Sequence, residues 1–131
     1  MSEENVEIVR RVYETSSATR RLDPAVVDEN VEVDASQIGG GTVTRGRDEA
    51  EKTLRDYWET FEEFSIELEE LIHADEGRVV TLSRHGGRIR GGEGDVWQRF
   101  FDVWTLSGGK IVRLSTHTDR TSALEAAGLS E

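Results

Sequence analysis

The sequence predicts an α+β domain: a cone-shaped, curved antiparallel sheet, with three N-terminal helices packed on its concave side and a short C-terminal helix. Three observations predict it. Helical stretches with one apolar face lie in the first half of the chain, four strand-like segments follow one another in the second half, and glycine-containing turns join those segments. Helices first and consecutive strands last favour helices segregated on one face of the sheet. Such a sheet can enclose a conical cavity.

The first half of the chain predicts three helices and two short strands. Val6, Val9 and Val12 form an apolar helical stripe. Asp23-Pro24 places a capping residue before a proline at the first helical position, and so predicts a short second helix. The predicted elements are a first helix that fades at Ser16–Thr19, a second from about Pro24 to Glu29, strands at Val31–Ser36 and Thr42–Thr44 separated by Gly39–Gly41, and a third helix from about Arg47 to Glu63.

The second half predicts an antiparallel meander of consecutive strands, because short turns containing glycine separate segments of alternating or continuous apolar character. Gly128 ends a last short helix. The predicted strands are Phe64–Ala74, Arg78–Ile89, Asp95–Leu106 and Lys110–Thr118, and the predicted helix is Thr121–Ala127.

Length and charge narrow the class of protein. The 131 residues suit one domain, 1–131, and no linker or repeat divides them. Lys and Arg number 16 against 27 Asp and Glu, a formal charge of −11, which disfavours binding to nucleic acid or to an anionic membrane. Cysteine is absent, and no apolar run reaches the roughly 20 residues of a membrane span. We therefore expect a soluble, cytoplasmic protein.

Asp102 is the most informative residue of the chain. It lies between Phe101 and Val103, in a strand that is apolar on both faces. A carboxylate is costly in such a place unless it is paired, hydrogen-bonded or protonated. Two interpretations remain open: Asp102 faces a pocket, or it holds a nearby arginine or backbone amide in place.

Four segments carry a resemblance to a known family: NVEIVRRVYE at 5–14, GGGTVTRGRDEAEKTL at 39–54, QRFFDVWTLSGGKIVRL at 98–114 and TDRTSALEAAGL at 118–129. Together with the order of elements, they resemble the SnoaL-like branch of the nuclear-transport-factor-2-like superfamily over nearly the whole chain. That family includes polyketide cyclases, ketosteroid isomerase relatives, dehydratases and non-catalytic ligand binders. The fold alone therefore does not choose a function.

The resemblance to ketosteroid isomerase implies roles for two carboxyl groups. Its oxyanion-binding aspartate corresponds to Asp102 and its general base to Asp34, while the helix-one tyrosine falls on Val12, beside Tyr13, so that one donor is expected to be missing. A protonated carboxyl in an apolar cavity can donate to an oxyanion while an ionised carboxylate takes a proton from carbon. The acid/base aspartate of the polyketide cyclases falls near Thr116, which cannot replace it.

His85 is a third catalytic candidate, as a proton shuttle or hydrogen-bond partner of Asp102, provided that it faces inward. The loose loop after it leaves its face open. His117 is expected to face outward. The histidines show no paired ligand spacing, so no metal or cofactor is predicted. Aromatic residues at helical spacing are commonly simple core residues. Several of them are nevertheless predicted to line an apolar ligand site, together with two residues of the last strand. The predicted ligand-binding residues are Tyr13, Tyr57, Trp58, Phe100, Trp104, Leu114 and Thr116.

The strand face opposite Asp102 presents Trp97, Phe101 and Val103. If the cavity lies on the concave side, these residues are exposed on the convex side, and a patch of that size is usually covered by a partner. The sequence therefore predicts a homodimer through the convex sheet face, as the family resemblance also implies.

Two main functions follow from the sequence. The first is an isomerase or cyclase of enolate type that acts on a small apolar carbonyl compound, with Asp34 as base and Asp102 as protonated donor. The alternative is a non-catalytic, dimeric binding module for an apolar ligand. A dehydratase or hydrolase that uses a His85–Asp102 pair is a third option.

Overall fold

The computed structural model describes residues 2–38 and 41–129 and has the predicted α+β architecture. The helices pack on one sheet of six strands in the order β2-β1-β6-β5-β4-β3. Gly39 and Gly40, part of the predicted break after the first strand, lie outside the described residues. The elements are α1 Ser2–Thr19, β1 Val27–Asp34, β2 Val43–Arg45, α2 Arg47–Trp58, β3 Phe61–Ala74, β4 Arg78–Ile89, β5 Asp95–Ser107, β6 Lys110–His117 and α3 Arg120–Ala126.

The sheet is mixed rather than purely antiparallel. Strands β3 to β6 form the predicted meander, but β1 pairs in parallel with β6, with Val33 opposite Leu114. A parallel pair needs a long connection between its strands. Here the whole segment from β2 to β5 supplies it, which periodicity along the chain does not reveal.

The predicted second helix is wrong, so two helices rather than three precede the meander. Asp23 does start a turn, since its Oδ1 accepts from the Ala25 N–H at 2.9 Å and its carbonyl accepts from the Val26 and Val27 N–H groups. The turn then passes directly into β1 at Val27. Consecutive β-branched residues favour an extended chain, and burial of Val27 outweighs the capping signal.

The third predicted helix ends early, at Trp58 instead of Glu63, because the next strand already starts at Phe61. Phe61 and Phe64 pack with Trp58 in one apolar cluster. The aromatic residues that extend the helical pattern in the sequence therefore belong to a strand that packs against the end of that helix.

Helices α1 and α2 cover one face of the sheet and α3 covers part of the other. On the first face, Val9 and Val12 of α1 and Ala50 of α2 join the main core. On the second face, Ala123 and Ala127 pack against Val103, which is only 2% exposed. The prediction of an exposed Val103 is therefore wrong, because the C-terminal helix lies over it.

Trp97 remains part of the predicted convex patch, with 37% of its surface exposed. The Arg84 guanidinium lies 4.0 Å from the centre of its ring, while Phe101 is half-buried. The apolar patch on this face is thus smaller than the strand pattern predicts.

Two glycines let β4 approach both of its neighbours just beyond His85. Gly86 and Gly87 have φ angles of 152° and 144°, where side chains are rarely tolerated. A Cβ on Gly87 would lie 1.6 Å from the Glu63 carbonyl oxygen, and one on Gly86 would lie 1.9 Å from the Val96 carbonyl oxygen. Glycine is therefore required at both positions.

Within the described part of the chain, none of the helices combines the length and the apolar character that crossing a membrane requires.

Candidate functional site

A cavity of about 470 Å³ lies between the two N-terminal helices and the sheet. Its walls are mainly aliphatic and aromatic. It is lined by every predicted ligand-binding residue, and by two of the three predicted catalytic residues, Asp102 and His85. The predicted ligand-binding residues in its wall are Tyr13, Tyr57, Trp58, Phe100, Trp104, Leu114 and Thr116.

Asp102 is the carboxyl group of this cavity and is only 3% exposed. Its Oδ2 accepts from the Tyr13 hydroxyl at 2.6 Å and from Ser83 Oγ at 2.8 Å. Among the described residues, its Oδ1 accepts from Thr116 Oγ1 alone, at 3.3 Å. No basic side chain pairs with it among the described residues, so its partners are neutral donors and the arginine interpretation is excluded.

Counting protons fixes the direction of a first chain of hydrogen bonds that ends at Asp102. Tyr13 has one hydroxyl proton and donates it to the carboxylate. Its oxygen therefore accepts from Thr81, whose Oγ1 lies 2.8 Å away. Thr81 in turn accepts from the Trp104 indole N–H at 3.0 Å. Each donor in this chain has an acceptor, and the chain holds the Tyr13 hydroxyl on Asp102.

A second chain links His85 to the same carboxyl oxygen. Ser83 donates its hydroxyl proton to Asp102, so its oxygen is left to accept from His85 Nε2, 3.1 Å away. The proton of the neutral imidazole is therefore on Nε2, and Nδ1 carries a lone pair. Nδ1 is buried and has no partner among the described residues. His85 thus contacts Asp102 through Ser83 rather than directly.

The protonation of Asp102 follows from its burial. Burial raises the pKa of its carboxyl group from 3.8 to about 6, and the hydrogen bonds from Tyr13, Ser83 and Thr116 oppose the rise. At pH 7 roughly a tenth of the molecules carry the proton. The ionised form is therefore the larger fraction at pH 7, whereas a protonated donor was expected from the sequence at this position. A carboxylate with a pKa near the working pH is well suited to take up and return a proton.

The other titratable groups of the cavity are neutral near pH 7. Burial lowers the pKa of His85 to about 4, and its ring packs against Phe100 with 4.7 Å between ring centres. Burial, and then the charge of Asp102, raise the pKa of Tyr13 well above its ordinary value. Burial also raises the pKa of Tyr57. Asp102 is therefore the group of this wall that changes charge in the physiological range.

Asp34 does not reach the cavity, which corrects its prediction as the base. Its Oδ2 lies 3.0 Å from Arg113 Nη2, on the opposite face of β1 from the cavity-lining Val33 and Ala35. Hydrogen bonds from Ser36, and then the Arg113 charge, lower the pKa of Asp34. The alternation of β1 turns its apolar residues to the cavity and its acids to the other side.

The missing tyrosine donor is present, because Tyr13 rather than Val12 bonds Asp102. Thr81 and Ser83 were not among the predicted site residues. The sequence contains a signal for them: Thr81, Ser83 and His85 are alternate residues of one predicted strand and therefore face the same side. It becomes informative only with the register, in which Thr81 pairs with Asp102.

His117 faces away from the cavity, as predicted, but it is buried rather than at the surface. Its Nδ1 lies 3.0 Å from Ser122 Oγ and its Nε2 lies 2.9 Å from Ser115 Oγ. The contact with Ser122 joins β6 to α3, whereas Ser115 lies on β6 itself, so His117 has a structural position. Over residues 2–38 and 41–129, no three His, Asp or Glu side chains are arranged to hold a metal ion.

Comparison with known proteins agrees with the observed fold. A family model described as a SnoaL-like domain matches residues 9–114, most of the chain. The chain belongs to the SnoaL-like family. Among curated proteins we found no match to this SnoaL-like sequence.

Solved structures with the SnoaL-like fold superpose over most of the chain. A protein of Catenulispora acidiphila with a ketosteroid isomerase-like fold, in complex with trimethylamine, has 16% identity and a TM-score of 0.73. The match covers 94% of this chain and 93% of that protein. A protein of Jannaschia sp. CCS1, named for a SnoaL-like polyketide cyclase, has 17% identity, a TM-score of 0.73 and coverages of 90% and 87%. TerC, co-crystallised with polyporic acid, has 19% identity, a TM-score of 0.70 and coverages of 94% and 96%. At these identities the likeness establishes the fold.

Proposed function

We propose that this SnoaL-like protein is an enzyme of enolate type, an isomerase or cyclase, that acts on a small apolar carbonyl compound in the cavity. One observation carries the proposal: a buried carboxyl group, with a pKa near 6 and three converging donors, lies in a mainly apolar wall. Asp102 replaces Asp34 as the base.

The reacting atom of Asp102 is Oδ1. Oδ2 already accepts two short hydrogen bonds, from Tyr13 and Ser83, whereas Oδ1 has only the 3.3 Å contact with Thr116. Oδ1 takes a proton from the carbon next to the substrate carbonyl: the C–H bond breaks, an O–H bond forms, and the electron pair moves into the enolate. Return of the proton to another carbon completes an isomerisation. In a cyclisation, the enolate carbon forms a bond to a second carbonyl carbon of the substrate, the C=O π bond of that carbonyl breaks, and the resulting alkoxide takes the proton back from Oδ1.

Two further residues can stabilise the enolate oxygen. The Trp58 indole N–H is buried without an acceptor among the described residues. Within the described part of the chain, the one hydrogen-bond partner of the Tyr57 hydroxyl is Gln98 Oε1, at 3.5 Å. Both residues line the cavity, and a donor to a developing oxyanion is worth roughly 10²–10³ in rate.

The ligand class follows from the wall of the cavity. Its residues suit a mainly apolar body with few polar groups. TerC was co-crystallised with polyporic acid and the Jannaschia protein is named for a SnoaL-like polyketide cyclase, and both support a cyclic carbonyl compound as the substrate class.

Hydrogen exchange at carbon tests this proposal without knowledge of the natural substrate. The protein is incubated in deuterium oxide with a panel of neutral cyclic ketones and diketones, and deuterium at the α carbon is followed by proton NMR. We expect exchange above the buffer rate for at least one ketone, and a loss of about 10²–10⁴-fold in Asp102→Asn.

Asp34→Asn is the matched control, because it removes a carboxylate that lies outside the cavity. It should keep the exchange rate of the wild type. Equal loss in both variants would contradict a special role for Asp102, and absence of exchange across the panel would favour the alternative function.

The alternative is a non-catalytic, dimeric module that binds an apolar ligand. The position of Asp34 favours it, since the cavity then holds one ionised carboxyl group and a neutral imidazole instead of two carboxyl groups. Mass spectrometry of the purified protein would detect an unaltered ligand. Recovery of such a ligand, together with absent exchange, would support the binding module.

We further propose that the protein is a single domain that forms a homodimer through the convex sheet face, in the cytoplasm, without nucleic-acid or membrane partners. The exposed Trp97 supports an interface there, and the charge of −11 disfavours nucleic acid. Trp97→Asp should lower the mass measured by light scattering from that of a dimer to that of a monomer.

A further inference from the structure

The carboxylate of Asp102 has no positive partner in its surroundings. The groups that face it are neutral: Tyr13 from α1, Ser83 from β4 and Thr116 from β6. Lysine and arginine are missing from the described residues that line the cavity. A buried charge without a counter-charge is costly, and a cationic ligand is one way to compensate it.

Aromatic rings surround the same space. Tyr13 and Trp104 pack edge to face, with 5.3 Å between ring centres, and both belong to the hydrogen-bond chain that ends at Asp102. Tyr57, Trp58 and Phe100 complete the aromatic part of the wall. The faces of such rings attract cations, and the attraction grows when water is excluded. A buried anion and several aromatic rings thus line one cavity.

We propose that this cavity also binds organic ammonium ions, that is, protonated amines with an apolar body, whose N–H donates to Asp102 Oδ1. The ammonium group supplies the missing counter-charge and forms a charge-assisted hydrogen bond, while the body contacts the aromatic wall. This inference goes beyond the proposed enolate chemistry. It rests on the cavity as a binding site for small molecules and does not require that the protein is an enzyme.

The pH dependence of amine binding follows from the groups in the wall. The titratable side chains among the described lining residues are Asp102, His85, Tyr13 and Tyr57. Burial lowers the pKa of His85 to about 4, and it raises the pKa of each tyrosine above its ordinary value. Only Asp102 therefore changes charge between pH 5 and pH 7.5. The affinity for an amine should rise over this interval as the carboxylate forms.

A set of ligands that differ only in charge tests the proposal. Naphthylmethylammonium, naphthalenemethanol and naphthoate share one ring system and are cationic, neutral and anionic at pH 7.5. Isothermal titration calorimetry with the full chain, in buffer containing physiological salt, gives their affinities. We expect the cation to bind at least about tenfold more tightly than the alcohol, and the anion more weakly than either.

Asp102→Asn and Asp34→Asn separate the cavity from the general negative charge of the protein. The preference for the cation should disappear in Asp102→Asn and persist in Asp34→Asn, since Asp34 lies outside the cavity. A preference that survives in Asp102→Asn, or an alcohol that binds as tightly as the ammonium ion, would overturn the inference. Deuterium exchange at the α carbon of a ketone without amine binding would overturn only the amine inference. Amine binding without such exchange would overturn only the enolate proposal.

Discussion

Replacing Asp102 by asparagine should stabilise the protein while it removes the proposed activity. Asparagine keeps the shape of the side chain and one oxygen, which can still accept from Tyr13 and Ser83. Its NH₂ group takes the place of Oδ1, where Thr116 can rotate to accept from it. The substitution therefore removes the buried charge without leaving these partners unsatisfied.

The magnitude follows from the pKa of Asp102. Burial raises that pKa from 3.8 to about 6, so the native protein holds this proton more tightly than the unfolded chain does. The contribution to stability is fully present below about pH 4 and is lost as the pH rises through about 6. The difference corresponds to roughly 3 kcal/mol. Asp102→Asn should accordingly exceed the wild type in free energy of unfolding by up to that amount at pH 8.

Urea denaturation at several pH values between 4 and 8 measures this difference. The two proteins should be close in stability at pH 4 and should diverge as the pH rises, because only the wild type ionises at this position. A difference that is constant with pH would refute the reasoning, as would a destabilised Asp102→Asn at pH 8. Asp34→Asn is a control in which the change in free energy of unfolding should have the opposite sign. The pKa of Asp34 is lowered in the folded protein, so loss of its charge should reduce stability at pH 8.

Three further experiments test the site and the strand packing beside it. Tyr13→Phe removes the 2.6 Å donor to Asp102 and should raise the pKa of that carboxyl group by about 1–2 units in a carbon-13 NMR titration, whereas an unchanged pKa would contradict the bond. His85, whose pKa is lowered to about 4, should show imidazole NMR signals that do not titrate between pH 5.5 and pH 8. Gly87→Ala should destabilise the fold by more than about 3 kcal/mol in urea denaturation, while Gly91→Ala, which meets no atom within 4 Å, should cost only about 1 kcal/mol.

Local sequence patterns predicted most elements, with errors where long-range packing decided the outcome. The meander could be predicted because glycine turns and alternation are local signals. The helix expected at Pro24–Glu29 carried a valid capping signal, yet the burial of Val27 in a strand outweighed it. The parallel pairing of β1 with β6 joins segments that are distant in the chain, so no local pattern encodes it.

For the candidate site too, some residues could be identified from the sequence and others depended on the tertiary structure. Asp102 could be identified because an acid between apolar neighbours is costly, and that cost is visible in the sequence itself. Asp34 was assigned by resemblance, but the alternation of its strand turns it away from the cavity toward Arg113. The resemblance placed the donor of α1 at the position of Val12, whereas Tyr13 donates to Asp102 in the structure. One position matters, because successive side chains of a helix are rotated by about 100°.

The sequence by itself determined that this chain forms an α+β domain of the SnoaL-like kind, with one buried acid and an aromatic interior. Only the tertiary structure decided which groups meet that acid. Its partners come from three elements, at Tyr13, Ser83 and Thr116, and they converge because of strand register and helix rotation. A shift of one residue would turn Ser83 or Thr116 to the opposite face of its strand and would rotate Tyr13 by about 100° around α1, and no property of a single residue records that choice.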